Sequence, residues 1–199
     1  MGNRHFTYFF VYCLIFSFAV VTAQDFKQSS DGFFIIETAS KADEAYLAEV
    51  FAIVQQAKRD LHNDWGFKLK QGVVIRVHPN ISSYSQATQM PWYFAALAKP
   101  SQNKIDIQRL RVLVERDSLE TTLRHELFHL GQPDDWPRWQ AEGSAMLFAQ
   151  ERPKAELIND ISEQELNYLL LNASSQKEIQ RANATALAWV KELKKEKTD

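Results

Sequence analysis

The chain has 199 residues, of which 23 are basic and 25 acidic, and Cys13 is its only cysteine. The nearly balanced charge excludes the strongly basic surface of a nucleic-acid-binding protein. A single cysteine excludes both a disulfide within the chain and a cysteine-based metal site. We therefore expect no nucleic-acid partner, and a bound metal must be held by nitrogen and oxygen.

The N-terminal residues have the pattern of an export signal. Arg4 precedes an apolar run from Phe6 to Val21, and small residues follow up to Ala23. This pattern predicts a signal peptide over residues 1–23 and an exported protein, periplasmic or secreted, with no membrane span once the signal is cleaved. An uncleaved N-terminal membrane anchor is the alternative, although the apolar run is shorter than the roughly 20 residues that cross a bilayer.

Residues 24–199 are enough for a single domain with its own hydrophobic core. They retain 22 basic and 25 acidic residues, a net charge of −3. Alternating apolar residues predict strands and apolar residues at helical spacing predict helices. The predicted elements, in chain order, are a strand over 32–38, a helix over 40–62, a strand over 72–78, a short helix over 82–89, an apolar segment over 92–98, a strand over 104–108, and helices over 118–130, 139–150, 162–171 and 175–193.

This order of elements predicts the fold class. Strands followed by a run of helices are typical of an α+β domain, here with a small mixed sheet. We expect its core at about 31–150 and a helical C-terminal part over 151–194.

The most informative motif is His125-Glu126-Leu127-Phe128-His129, which has the pattern H-E-x-x-H. Histidines four residues apart are neighbours on one face of a helix, so both imidazoles can reach one metal ion. The glutamate beside the first histidine is then placed to deprotonate water. The motif predicts His125 and His129 as metal ligands and Glu126 as a general base.

The surrounding residues predict that this motif lies on an amphipathic helix. Asp117 and Glu120 resemble a capping box at its start, and Gly131 follows where a left-handed residue would end it. Leucines at helical spacing form an apolar stripe on the side away from the histidines. The stripe consists of Leu119, Leu123, Leu127 and Leu130.

A catalytic zinc usually has three protein ligands, and Glu142 is the candidate for the third. It shares a helix face with Trp139 and Met146, where a carboxylate is costly to bury unless it binds a metal. The small Gly143 and Ala145 are expected to let this helix approach the first one closely. A solvent-exposed Glu142 is the alternative. The other histidines, His62 and His78, lie on other elements and are expected not to be ligands.

Two segments resemble the gluzincin metallopeptidases, and among them the small bacterial peptidase-MA-like domains. They are Leu123–His129, with H-E-x-x-H, and Pro137–Ala145, which has the pattern P-x-W-x-x-E-G-x-A. The resemblance implies a thermolysin-like zincin fold, one catalytic Zn²⁺ and peptide hydrolysis. It also implies the ligands His125, His129 and Glu142 and the base Glu126.

The chain departs from that family pattern at two points. Met146 stands where many larger gluzincins have a carboxylate that supports a zinc histidine, which leaves Asp134 or Asp135 as candidates for this role. No downstream histidine is present to stabilise the reaction intermediate, and Asn183 stands where similar domains have an aromatic hydroxyl. Tyr168 and Arg181 are the candidate substitutes for that role.

These observations predict a zinc-dependent peptide hydrolase acting on a peptide or protein substrate. An extended peptide is expected to lie along a strand edge, supplied by residues 94–96 or 105–107. Two alternatives remain: a zinc-binding, catalytically weak exported domain that recognises peptides or protein partners, and a metal-independent binding module in which the motif arose by chance.

Overall fold

The computed structural model describes residues 25–29 and 31–196. The predicted signal peptide and its cleavage site lie outside these residues. The described chain is a mixed α+β structure with one small mixed sheet and seven α-helices. Within it, no helix is both long and apolar enough to cross a membrane.

The sheet has five strands in the order β1-β2-β3-β5-β4. Strands β2, β3 and β5 run parallel, while β1 and β4 are antiparallel to their neighbours at the two edges. The strands are β1 (Asp25–Gln28), β2 (Phe34–Thr38), β3 (Val73–Val77), β4 (Ala96–Lys99) and β5 (Lys104–Ile107). The predicted small mixed sheet is thus confirmed, and β4 forms the edge nearest the H-E-x-x-H helix.

The helices are α1 (Leu47–Trp65), α2 (Ile81–Thr88), α3 (Leu110–Glu115), α4 (Leu119–Gly131), α5 (Arg138–Phe148), α6 (Glu163–Asn172) and α7 (Gln176–Glu196). Short 3-10 turns cover Lys41–Tyr46 and Pro100–Gln102. Helix α1 therefore begins later than predicted, and its end at Trp65 is set by Gly66, whose φ of 70° is left-handed. Strand β1 and helix α3 were not predicted.

Two groups of buried apolar side chains hold the elements together. The first lies between the sheet, α1 and α4, and it includes the predicted stripe of Leu119, Leu123 and Leu127. The second joins Trp139 of α5 to apolar residues of α6 and α7, with the Trp139 and Trp189 ring centroids 5.4 Å apart. Helix α5 contributes to both groups, so it fixes α7 relative to α4.

The predicted capping box at Asp117 is wrong. Asp117 has a φ of 51°, and the backbone N–H of Ser118 donates to the carbonyl of Leu113 at 2.9 Å. Asp117 is therefore the left-handed residue that closes α3, a helix that the sequence did not predict. Ser118 precedes α4 and makes no side-chain cap.

The roles predicted for two glycines are also wrong. Gly131 is helical, and Gln132, which is extended, ends α4. A Cβ at Gly131 would lie 3.3 Å from Leu69 Cδ2. The glycine therefore allows close packing against Leu69 and does not form a left-handed turn. A Cβ at Gly143 would lie 2.3 Å from the carbonyl oxygen of Ala186. Gly143 thus lets α5 approach α7, not α4.

Candidate metal centre

Helix α4 is fixed in place by Arg124, the residue before the first motif histidine. Its buried guanidinium donates to Asp60 Oδ2 of α1 at 2.8 Å and to the carbonyl of Phe148 at 3.3 Å. It also lies 4.4 Å from the centroid of the Phe148 ring. One side chain therefore ties α4 to α1 and to the end of α5, which holds the histidine face of α4 towards α5.

The packing of α4 on α5 brings the three predicted ligands together. The donor atoms of His125, His129 and Glu142 all lie within 4.8 Å of one another. The two Nε2 atoms are 3.0 Å apart, and Glu142 oxygens lie 3.3 Å from His125 Nε2 and 3.4 Å from His129 Nε2. Glu142 is buried rather than exposed to solvent.

These separations fit a single metal ion. Four-coordinate zinc with bonds of about 2.0–2.1 Å has ligand atoms roughly 3.3 Å apart. Two imidazole nitrogens and a carboxylate form one of the known catalytic zinc sets. Among the described residues, this is the group of histidine and acidic side chains that could hold a metal.

Each histidine is oriented by a hydrogen bond at its other ring nitrogen. His125 Nδ1 lies 2.7 Å from Glu151 Oε1, and His129 Nδ1 lies 3.0 Å from Gln132 Oε1. A carboxylate only accepts hydrogen bonds, so Nδ1 of His125 carries the proton and Nε2 faces Glu142. Gln132 Oε1 likewise accepts a hydrogen bond from Nδ1 of His129.

The supporting residues differ from those considered in the sequence. Asp134 and Asp135 are exposed and form none of these hydrogen bonds, so they do not replace the missing carboxylate at Met146. Gln132 lies three residues after His129, a spacing that places it near that ring. Glu151 follows a turn at Gln150, whose φ is 58°. No sequence pattern predicts that such a turn returns to α4.

The charges of the centre are strongly coupled. Burial opposes the ionisation of Glu142, but His129, Arg138 and His125 outweigh it and hold its pKa below the ordinary value. The Arg138 Nη2 atom lies 2.7 Å from Glu142 Oε1. Burial also lowers the pKa of His125, and Glu151 and Glu142 reverse this, so that its pKa rises well above the usual value. Burial lowers the pKa of His129 to about 4.

Glu126 lies beside the ligands and faces the sheet edge. Its Oε2 accepts the backbone N–H of Ala98, in β4, at 2.6 Å. Burial raises the pKa of Glu126 to about 7; Glu142 adds to this rise, and His125 and the Ala98 N–H oppose it. A carboxylate with a pKa near neutrality is suited to accept and return a proton.

The centre opens into a cavity of about 550 Å³. Helix α4 and strand β4 form two of its walls, an aromatic segment forms a third, and α7 forms a fourth. The wall residues outside α4 include Tyr93, Phe94, Ala96, Leu97, Ala98, Gln176, Ile179, Gln180 and Asn183.

The remaining candidate residues lie elsewhere. His62 is exposed on α1, and His78 is buried between Ser83 Oγ and Asp106 Oδ1, each 3.0 Å from a ring nitrogen. Neither belongs to the cluster of His125, His129 and Glu142. Tyr168 is 65% exposed on α6, and Arg181 donates to the carbonyl of Leu157. Neither lines the cavity, so the suggestion that they stabilise an intermediate is wrong; Asn183 does line it.

The chain matches no protein-family model, no curated protein and no solved structure with which it was compared. The gluzincin resemblance therefore rests only on the two sequence segments that contain the predicted ligands and the predicted base.

Proposed function

We propose that this protein is an exported, zinc-dependent peptide hydrolase of the gluzincin type, with a thermolysin-like arrangement of its sheet edge and its two ligand helices. The single observation that carries the proposal is the convergence of His125, His129 and Glu142 beside a buried Glu126 that accepts a hydrogen bond from the edge strand. A chance occurrence of the motif gives no reason for a buried carboxylate to meet both imidazoles.

The reaction divides between the ion and the side chains. His125, His129 and Glu142 would hold a zinc ion, which would supply Lewis acidity to a water molecule and to a substrate carbonyl. Glu126 takes the proton from the attacking water and returns it to the leaving amine. The hydrogen bond from Ala98 fixes the Glu126 carboxylate and leaves its second oxygen for this exchange.

Strand β4 is the edge along which a peptide would lie. The Ala98 N–H points away from β5 and towards the cavity, because it donates to Glu126. Residues alternate along an antiparallel strand, so Ala96 also directs its backbone groups away from β5. The predicted alternative edge at 105–107 is wrong, since β5 lies between β3 and β4.

A catalytically weak, zinc-binding domain that recognises peptides is the second candidate. It is favoured by one observation, that neither Tyr168 nor Arg181 reaches the cavity to stabilise an intermediate. Such a domain would share the zinc and peptide sites, and it differs from the first candidate only in turnover.

Replacement of Glu126 tests the proposal. We expect zinc-loaded wild-type protein to cleave members of a random peptide library, and Glu126→Gln to lose about 10²–10⁴-fold in rate, the usual contribution of general acid–base catalysis. Zinc content should stay the same, because Glu126 is not a ligand. The measurement is mass-spectrometric cleavage profiling together with metal analysis.

The matched control is Glu120→Gln, which changes an exposed glutamate on the same helix and should leave cleavage intact. Full activity of Glu126→Gln would remove Glu126 as the base. Wild-type protein that binds zinc but cleaves no peptide would favour the catalytically weak domain.

A further inference from the structure

Helix α7 presents a row of carboxamide side chains to the cavity. Gln176, Gln180 and Asn183 are spaced by four and three residues, which places them on one face of a helix. All three line the cavity that contains the metal centre. The adjacent face, with Ala182, Ala186 and Val190, packs in the second apolar group.

These carboxamide side chains make no hydrogen bonds to other groups of residues 25–29 and 31–196, which the structure describes. Asn183 Oδ1 is buried and has no hydrogen-bond partner within the part of the chain that the structure describes. An unpartnered buried acceptor costs stability, so native proteins rarely keep one without a reason. Gln176 and Gln180 are exposed at the cavity and likewise bond no described group. The row is therefore free to bind a ligand.

The chemistry of the row fits a peptide main chain. Each carboxamide offers both a donor and an acceptor, the same pair that each peptide unit carries. The row is uncharged, so it selects neither anionic nor cationic groups. From Gln176 to Asn183 it spans about 10 Å along the helix axis, the length of roughly three residues of extended peptide.

We propose that Gln176, Gln180 and Asn183 form a subsite that binds the main chain of about three residues of an extended peptide, with little dependence on side-chain sequence. The inference rests on the proposed function, because it places the peptide in the same cavity as the metal centre. Asn183, the least exposed of the three, accepts a backbone N–H once its carboxamide turns Oδ1 towards the peptide, and the glutamines bind nearer the rim.

Binding without turnover isolates this subsite. The protein is the zinc-loaded full chain carrying Glu126→Gln, and the probe is a fluorescein-labelled pool of acetylated, randomised heptapeptides. In this background we expect Asn183→Leu and Gln180→Met each to weaken binding about 3- to 10-fold, the range for one net hydrogen bond. Fluorescence anisotropy gives the affinity. Gln164→Met, which changes an exposed glutamine on α6, is the control and should bind as before.

A second pool separates main-chain recognition from other effects. N-methylation of the central amides removes their donors and should weaken binding to the parent protein. N-methylation should weaken binding less in Asn183→Leu, because the side-chain oxygen that accepts from the peptide N–H is already absent. Gln180 is exposed, so Gln180→Met tests the row even if Asn183→Leu fails to fold.

The outcomes distinguish this inference from the proposed hydrolase. Unchanged binding by both variants, or an equal N-methylation loss in the parent and in Asn183→Leu, would overturn the peptide subsite while wild-type cleavage still stood. Binding that depends on the row, with no cleavage by wild-type protein, would support the subsite and overturn the hydrolase.

Discussion

The orientation of the two histidines is decided by residues that contact the far side of each ring. Glu151 holds His125, and Gln132 holds His129, each at Nδ1. This leaves both Nε2 atoms directed at Glu142. Partners of this kind fix the ring and raise its basicity, and losing one usually weakens metal affinity about 10–100-fold.

We therefore expect Glu151→Ala to bind zinc about 10–100-fold more weakly than wild type, as measured by competition with a chelating dye. Glu151→Gln keeps an oxygen that accepts from Nδ1, so it should lose less. Glu156→Ala changes an exposed glutamate five residues further on and should bind as wild type does. Wild-type affinity in Glu151→Ala would show that Glu151 does not orient the site.

At the residue scale, the sequence predicted the site where it depends on local spacing. The spacing of four between the histidines and the burial of Glu142 are properties of single helices, and the structure brings these three side chains together. Glu151 and Gln132 reach the histidine rings only because the turn after α5 and the end of α4 bring them back to the site. Spacing along the chain carries no information on such a return.

At the scale of elements, strongly patterned segments were predicted and short ones were missed. Strand β3 alternates between buried and half-buried residues, and the leucine stripe of α4 is buried as expected except at Leu130, which is half-buried. Strand β1 and helix α3 have only four and six residues. Elements this short are stabilised by their neighbours rather than by their own pattern, which also explains the error at Asp117.

The contact between α5 and α7 depends on the absence of a side chain at Gly143. An added Cβ would lie 2.3 Å from the Ala186 carbonyl oxygen and 2.7 Å from Val190 Cγ2. We expect Gly143→Ala to lower the free energy of unfolding by about 1–3 kcal/mol, since the two backbones must separate. Urea denaturation measures this change.

Gly131→Ala is the matched control for Gly143→Ala. Its nearest obstacle is the movable tip of Leu69 at 3.3 Å, and alanine favours a helix over glycine by about 1 kcal/mol. We expect little net loss of stability there. Equal stability of Gly143→Ala and wild type would contradict the close approach of the two helices.

Across the whole molecule, a buried polar network fixes the edge strand against the rest of the sheet. Asp106 on β5 is fully buried and is 3.0 Å from His78, 2.8 Å from Lys99 and 3.2 Å from Lys104. Lys99 on β4 also donates to the carbonyl of Ala87. The network joins β3, β5, β4 and α2, and so helps to position the strand whose Ala98 N–H holds Glu126.

The network makes stability depend on pH. Burial opposes ionisation of Asp106, but His78, Lys99 and Lys104 outweigh it, so its pKa is below the ordinary value. The stabilisation is then complete above the unfolded pKa of about 3.9 and is lost as the pH falls through the lower folded pKa. At neutral pH, Asp106→Asn should lower the free energy of unfolding by about 3 kcal/mol, the lower end of the range for a buried pair, because the half-buried Lys99 and Lys104 lose their partner.

We expect the difference in free energy of unfolding between Asp106→Asn and wild type to shrink as the pH falls below about 4. Denaturant titration at several pH values measures this difference. The exposed Asp135→Asn should match wild type throughout. If the difference in free energy of unfolding stayed constant to the lowest pH at which the protein folds, the charge of Asp106 would not be what stabilises the sheet.

The order of the strands and the packing of α7 over the cavity are properties of the whole chain. The sequence predicted an α+β fold with a small sheet, because alternation and helical spacing are visible locally. It did not predict that β5 would lie inside the sheet or that α7 would bring its carboxamides to the metal centre. Both depend on contacts between distant segments.

The most direct test of the central claim is zinc stoichiometry in wild type and in Glu142→Ala, with the exposed His62→Ala as control. Elemental analysis after dialysis against buffered zinc should find one zinc per chain in wild type and in the control. Glu142→Ala should lose most of its zinc. Wild-type protein without zinc, or Glu142→Ala with the same stoichiometry and affinity as wild type, would contradict a metal centre built from His125, His129 and Glu142.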